Sequence, residues 1–325
     1  MNIAIIYHDS DFDGKLSNEV CQYWLKKLYP EASIHGYGWD YGRPLPKETA
    51  WEWWLGYDVI YIVDLSVDEL MIHPEFQRTI VWIDHHKSAI EKWDRKSDAS
   101  PGPLFVGYRI DGVAACRLCW QYFLHYDVED PNLSVGLPEK AAFVDRVVKE
   151  PELLRLAGEY DIWDHRDPDA KALQFGLRAL LDSGLDSLVR GLLSRPDDKY
   201  YKYWLEKVID HGRSIKSYCD KQNDEYALAH ATTCVWSGLT WCVLNIGQRG
   251  NSDLLRAAIK PEHDALFAWR HDGKQAYVSL YHAPGKEHHD LSVIATQRGG
   301  GGHRGACGFR CSLHWLGNIV YGEVE

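Results

Sequence analysis

The sequence contains no uninterrupted apolar run near the roughly 20 residues that a membrane-spanning helix needs. Its opening stretch, MNIAIIYHDSD, lacks a basic start followed by a long apolar segment and a small-residue cleavage site. No secretory leader is therefore expected. It also lacks a disulfide framework. Eight cysteines are scattered through 325 residues, largely among apolar neighbours, which fits a reducing, cytoplasmic setting. Positive charge is scarce as well: 36 Lys and Arg face 47 Asp and Glu, a formal net charge of -11. A protein that grips long nucleic acid by its backbone needs a basic footprint, so a short or small anionic substrate fits this chain better. No internal repeat is present, and four consecutive glycines, Gly299–Gly302, are the only low-complexity stretch.

What remains is a globular composition, 45% hydrophobic, with enough chain for two domains that each bury a core. The 14 Trp and 19 Tyr are read as core and interface material. Residues 2–7 (NIAIIY), 58–63 (DVIYIV) and 79–83 (TIVWI) are short β-branched runs, read as buried strands. After the first, Leu16, Val20, Trp24 and Leu28 recur every four residues on one helical face. Strands separated by helix-length segments predict an α/β fold, a doubly wound parallel sheet. Residues 113–193 read as helical, SRPDD (194–198) as a break, and 199–229 as one long polar helix. Beyond it lies a smaller α/β region, with strands around a Ser237-Gly238 turn, a hairpin turning at Asp272-Gly273, and a last helix in LSVIATQR. The expected division is a larger domain over 1–193, a helical linker over 194–229 and a smaller domain over 230–325.

Three strand ends carry acidic groups: His8, Asp9, Asp11 and Asp13; then Asp64; then Asp84-His85-His86. Ligands of open α/β sheets sit beyond the carboxyl ends of the strands, so these groups would converge on one crevice. Gathered carboxylates raise one another's pKa unless a cation compensates. Mixed carboxylate and imidazole donors suit Mn²⁺, with Mg²⁺ or Zn²⁺ as alternatives, and this many donors suits two ions. Two ions close together form a clamp for displacement at phosphorus. The competing reading makes each strand-end Asp an N-cap of the following helix. Three such strands, one continuing into His-His, weigh towards a metal site.

Here the sequence resembles a known family. YHDSDFDGKLS (7–17), IVDLS (62–66), WIDHH (82–86) and YDIWDH (160–165) resemble, in order, the motifs of the DHH phosphoesterase superfamily. GGGGHRGACGF (299–309) resembles the glycine-rich motif of the DHH-associated C-terminal domain found in exonuclease-type and nano-RNase-type members. The resemblance implies that His8 and Asp11 hold one metal, that Asp13, His85 and Asp161 hold a second, and that Asp64 bridges them. It gives His86 to the scissile phosphate and Asp84 to support of the His pair. His303, Arg304 and the backbone of Gly300, Gly301 and Gly302 would meet substrate phosphate from the small domain. The spacing leaves Asp9 as an alternative to Asp11, and Asp164 as an alternative to Asp161. Where many relatives carry Ser-Leu-Arg, this chain has Ser279-Leu280-Tyr281, so a substrate-binding Arg is missing.

The implied activity is a two-metal phosphodiester hydrolase in which a bridging hydroxide attacks phosphorus. Short oligonucleotides or dinucleotides would be cut to nucleoside monophosphates. The alternatives are a cyclic dinucleotide phosphodiesterase, a small phosphate-ester hydrolase, and a nucleotide-binding sensor that keeps the fold without the chemistry. The expected partner is a short oligonucleotide, with no membrane and no long duplex, and a homodimer is allowed. Other candidates read as structural. Cys116 and Cys119 form a lone CxxC in an apolar helix and read as buried thiols. Asp290, after His288-His289, reads as an N-cap, and Asp145 as a solvated charge. Arg249 and Asn251 precede a helix N-terminus, which is a natural anion site.

Overall fold

In the computed structural model the described residues are 1–41, 43–45, 51–76, 79–97, 105–126, 136–164, 166–180, 185–195, 198–247 and 252–321. The chain divides into two compact units, Met1–Ile215 and Lys216–Glu325.

The first unit is built on a parallel sheet. Its strands are β1 (Asn2–His8), β2 (Ser33–Trp39), β3 (Val59–Val63), β4 (Ile80–Asp84) and β5 (Val106–Arg109), in the spatial order β2-β1-β3-β4-β5. Each neighbouring pair runs parallel. Strand side chains alternate faces, so a sheet covered on both sides needs apolar residues at every position. β1 shows this directly. Ile3 and Ile5 enter one core with Leu16, Val20 and Tyr61, whereas Ala4 and Ile6 enter another with Trp54, Ile62 and Trp82. The chain leaves β1 for β2 on one side and resumes at β3 on the other, which makes the β1/β3 boundary the topological switch point.

Helices wrap this sheet: α1 (Phe12–Leu28), α2 (Asp68–Met71), α3 (Lys87–Ser97), α4 (Ala115–Leu124), α5 (Lys140–Val144), α6 (Glu152–Asp161), α7 (Pro168–Leu180) and α8 (Leu185–Ser194). α1 starts where Asp11 caps it, accepting a hydrogen bond from the Gly14 N–H at 3.0 Å. Gly14 is required by a close approach, because a Cβ there would lie 1.9 Å from the His8 carbonyl oxygen. α4 is tied to the segment before α6 through a buried ion pair in which the Arg117 guanidinium donates to Glu150. α9 (Lys199–His230) follows, and the boundary between the units falls within it.

The second unit holds a six-stranded sheet, β10-β11-β9-β8-β7-β6, from β6 (Thr232–Trp236), β7 (Leu239–Asn245), β8 (Ala265–His271), β9 (Gln275–His282), β10 (Gly301–His303) and β11 (Ala306–Ser312). β7 and β8 pair parallel, and the other neighbours pair antiparallel. Helices α10 (Leu291–Gln297) and α11 (Leu313–Tyr321) complete it. Ser237 and Gly238 both have positive φ, 52° and 76°, giving the two-residue turn whose twist suits a tight hairpin. SDLLRAA forms a 3₁₀ helix over Ser252–Ala258. Among the described residues, no helix is long and apolar enough to cross a membrane.

Candidate metal centre

The carboxyl ends of four adjacent strands deliver the polar groups. His8 ends β1, Asp40 follows β2, Asp64 follows β3 and Asp84 ends β4. Asp11 and Asp13 come from the start of α1, and Asp161 from the last turn of α6. These side chains form two groups that could each hold a cation, His8–Asp11–Asp64 and Asp13–His85–Asp161. Asp64 also groups with His85 and His86.

The distances are short and the crowding is acidic. The His8 Nδ1 lies 2.9 Å from an Asp11 oxygen and 3.5 Å from Asp64, while its Nε2 lies 3.3 Å from Asp40. The His85 Nε2 faces three carboxylates at once: Asp64 at 3.2 Å, Asp161 at 3.4 Å and Asp13 at 3.5 Å. Asp64 is buried, and among the described residues neither of its oxygens has a hydrogen-bond partner of acceptable geometry. Its backbone is left-handed, with φ 62°, a conformation Asp tolerates better than most residues but which still costs about 1 kcal/mol. Asp13 is buried too, but α4 aims its N-terminus at it: the Ala115 and Cys116 N–H groups donate to its two oxygens at 2.8 and 2.7 Å.

Burial and the neighbouring carboxylates, Asp13 foremost, push the Asp64 and Asp161 carboxyls well above the ordinary range. Burial opposes charge on His8, yet its close contacts with Asp11 and Asp64 outweigh it and raise its pKa to about 11. Asp11 moves the opposite way. Burial would raise it, but its contacts with His8 and the Gly14 N–H hold it low. A buried carboxylate without donors, flanked by imidazoles and further carboxylates, is a donor set that fits divalent cations of the hard-to-borderline kind.

Asp84 is fully buried and works through one oxygen. It accepts hydrogen bonds from the His85 N–H at 2.7 Å and the His86 N–H at 3.2 Å, and it lies 2.7 Å from the His86 Nδ1. Burial would lower the His86 pKa, but the Asp84 hydrogen bond and charge raise it.

The remaining candidates are placed as follows. Asp9 lies outside the groups, with its carboxylate 3.4 Å from Arg43. Asp164 forms a tight pair with Arg166, which pulls its carboxyl down to about 2. Cys116 and Cys119 are buried, burial pushes both thiols well up, and all eight cysteines are unpaired. Asp145, after α5, is exposed. In the second unit, Asp290 caps α10 by accepting from the Ser292 N–H at 3.1 Å. The Arg304 guanidinium donates to the carbonyls of His288 and His289 at 2.6 and 3.5 Å, tying the glycine motif to that loop. Gly300 and Gly302 permit close pairing of β10 with β11, since a Cβ would lie 2.0 Å from the Gly308 oxygen or 2.6 Å from the Cys307 Cα. Beside Gly301 there is open space. The side chain of His303 lies outside the described residues, as do Arg249 and Asn251.

Asp40 is absent from the sequence reading. Its signal is the one that marks Asp64 and Asp84, a carboxylate directly after a strand. The strand itself, SIHGYGW, is a partly exposed edge strand with two glycines, and so lacks the apolar run that betrays the others.

No protein-family model matches the chain, and no curated protein does. Solved structures do match. The DHH domain of a member of a ribosomal-protein family aligns over 94% of this chain and 82% of its own, at 16% identity and a TM-score of 0.54. The chain has the DHH fold. Also similar are a pGpG-specific phosphodiesterase, PggH, from Vibrio cholerae (12% identity, 97% of this chain and 94% of that chain, TM-score 0.45) and exonuclease RecJ bound to manganese (13%, 97% and 86%, 0.44). Within the DHH fold of this chain, His8, Asp64 and Asp84-His85-His86 occupy adjacent strand ends around the switch point.

Proposed function

We propose that the chain is a metal-dependent phosphodiesterase acting on short oligonucleotides or dinucleotides and releasing nucleoside monophosphates. One observation carries the reading: Asp64 is buried between two His–carboxylate groups with no hydrogen-bond donor on either oxygen. Ionising a buried carboxyl beside further carboxylates costs several kcal/mol; His8 offsets part of that cost, and a divalent cation would offset more. The proposed ligands are His8 and Asp11 for one ion, Asp13, His85 and Asp161 for the other, and Asp64 between them. Mn²⁺ is the proposed metal, with Mg²⁺ as the alternative. When bound, such ions make water more acidic and offset charge on phosphoryl oxygens.

The chain's own groups do the rest. Asp84 locks His86 through Nδ1, leaving Nε2 as the atom that donates to a phosphoryl oxygen. Asp84 raises the His86 pKa against the effect of burial, which favours the doubly protonated ring in which Nε2 can donate. Asp13, held by two α4 amides, keeps its place as the substrate arrives. In the 230–325 region, the segment Gly300–His303 is the proposed phosphate-binding surface. His303 is its principal contact, and Arg304, anchored on the 288–289 loop, adds positive charge. A reducing cytoplasm suits the eight free thiols.

The test is hydrolysis of bis(p-nitrophenyl) phosphate with Mn²⁺ by wild type, Asp64→Asn and His86→Ala. Each variant should lose at least ~10³-fold in rate, on the order of 4 kcal/mol of barrier. Wild-type rates in Asp64→Asn would sink the proposal. A panel of two- to ten-nucleotide RNAs and DNAs with cyclic dinucleotides then assigns the substrate.

A further inference from the structure

The first turns of α9 carry an exposed aromatic face that the metal centre does not use. The sequence there is KYYKYWLEK (199–207). Leu205, Val208 and Ile209 turn to the core, while Tyr200, Tyr203, Trp204 and Lys207 share the opposite face at helical spacing. Tyr200 is 62% exposed, Tyr203 52% and Trp204 42%. The rings touch one another, with centroids 6.2 Å apart for Tyr200–Trp204 and 5.8 Å for Tyr203–Trp204. Lys207 sits over the Tyr203 ring, with Nζ 5.3 Å from its centroid.

We propose that this face binds single-stranded oligonucleotide, with bases stacked on Tyr200, Tyr203 and Trp204 and phosphates met by Lys199 and Lys207. It rests on the substrate class proposed above. Contiguous exposed rings of this size mark a partner surface. Composition selects the partner. Protein interfaces favour Arg and deplete Lys, yet every cation in 199–207 is Lys. π-faces bordered by lysines are how sequence-tolerant single-strand binding is built. Lys207 borders the rings directly, and the surface is too small for a long duplex.

The experiment measures anisotropy of fluorescein-labelled ten-nucleotide strands with the full chain in EDTA, so that binding is read without hydrolysis. The triple variant Tyr200→Ala/Tyr203→Ala/Trp204→Ala should bind at least ~10-fold more weakly. Phe at the same positions should restore wild-type affinity. Lys199→Gln/Lys207→Gln should flatten the slope of log K against log salt by about 1. The Ala triple and the Lys double should both hydrolyse bis(p-nitrophenyl) phosphate at the wild-type rate, an ester too small to need this face. Failure of the Asp64→Asn test strikes the metal centre and leaves these binding results standing on their own. Unchanged affinity in the Ala triple overturns the proposal. So does a wild-type dimer that the Ala triple dissociates while strand binding stays the same, because the face would then be a self-association surface.

Discussion

Asp13 and Asp64 both lie within 3.5 Å of the His85 Nε2, yet Asp13 receives two backbone hydrogen bonds and Asp64 receives none. The two carboxylates therefore divide the work of the cluster. Asp13 stabilises the metal-free fold by closing the N-terminus of α4. Asp64 has no backbone donor, and burial beside Asp13 disfavours its charged form.

That division predicts opposite stability effects in EDTA. Asp13→Ala should cost about 1–3 kcal/mol, because two buried N–H groups lose their acceptor. Asp64→Asn keeps a residue that tolerates positive φ and removes a carboxyl whose ionisation burial and Asp13 disfavour, so it should gain about 1 kcal/mol. Urea denaturation measures both. A loss of stability in metal-free Asp64→Asn would contradict this account.

Metal-free stability should fall as pH rises. Asp64 and Asp161 have folded pKa values above their unfolded ones, so the folded state holds more of their protons above about pH 4. Their contribution is complete below the unfolded pKa and is lost as pH climbs towards the folded one. His8, raised to about 11, acts in the same direction from its ordinary 6.5 upwards. Thermal melts in EDTA between pH 5 and 8 should therefore show a declining Tm, and a rising one would refute the assignment.

The same protons must leave when a metal enters. Mn²⁺ affinity should rise from pH 6 to pH 8, with net proton release read by calorimetry in buffers of different ionisation enthalpy. Binding without proton release would mean that Asp64, Asp161 and His8 are not the ligands.

Asp40→Asn should weaken Mn²⁺ binding about 10–100-fold, since Asp40 contacts His8 through the ring nitrogen opposite Asp11. Direct titration followed by manganese electron paramagnetic resonance would show this. Unaltered affinity would make Asp40 a bystander.

Gly14→Ala should cost about 2–4 kcal/mol and abolish metal binding, because its Cβ cannot coexist with the His8 carbonyl unless α1 moves off β1. A variant with wild-type stability would place α1 differently.

Local sequence is enough to establish the parallel sheet and the chemistry of its strand ends. Runs such as IAII and VIYIV are apolar at every position, and only a strand covered on both faces uses them so. The Asp and His residues that follow must then share one edge. The cap at Asp11 is equally local, because an Asp three residues ahead of Gly14 has a donor within reach. Packing between distant segments settles the rest. It chose Asp161 over Asp164 for the cluster, since Arg166 captures Asp164. It left Asp9 to Arg43. It brought the α4 amides to Asp13 and Asp40 to His8, contacts between segments far apart in the chain and invisible to any local pattern. Donor count decided which carboxylate is left without hydrogen bonds, and donor count depends on packing between elements rather than on residue type.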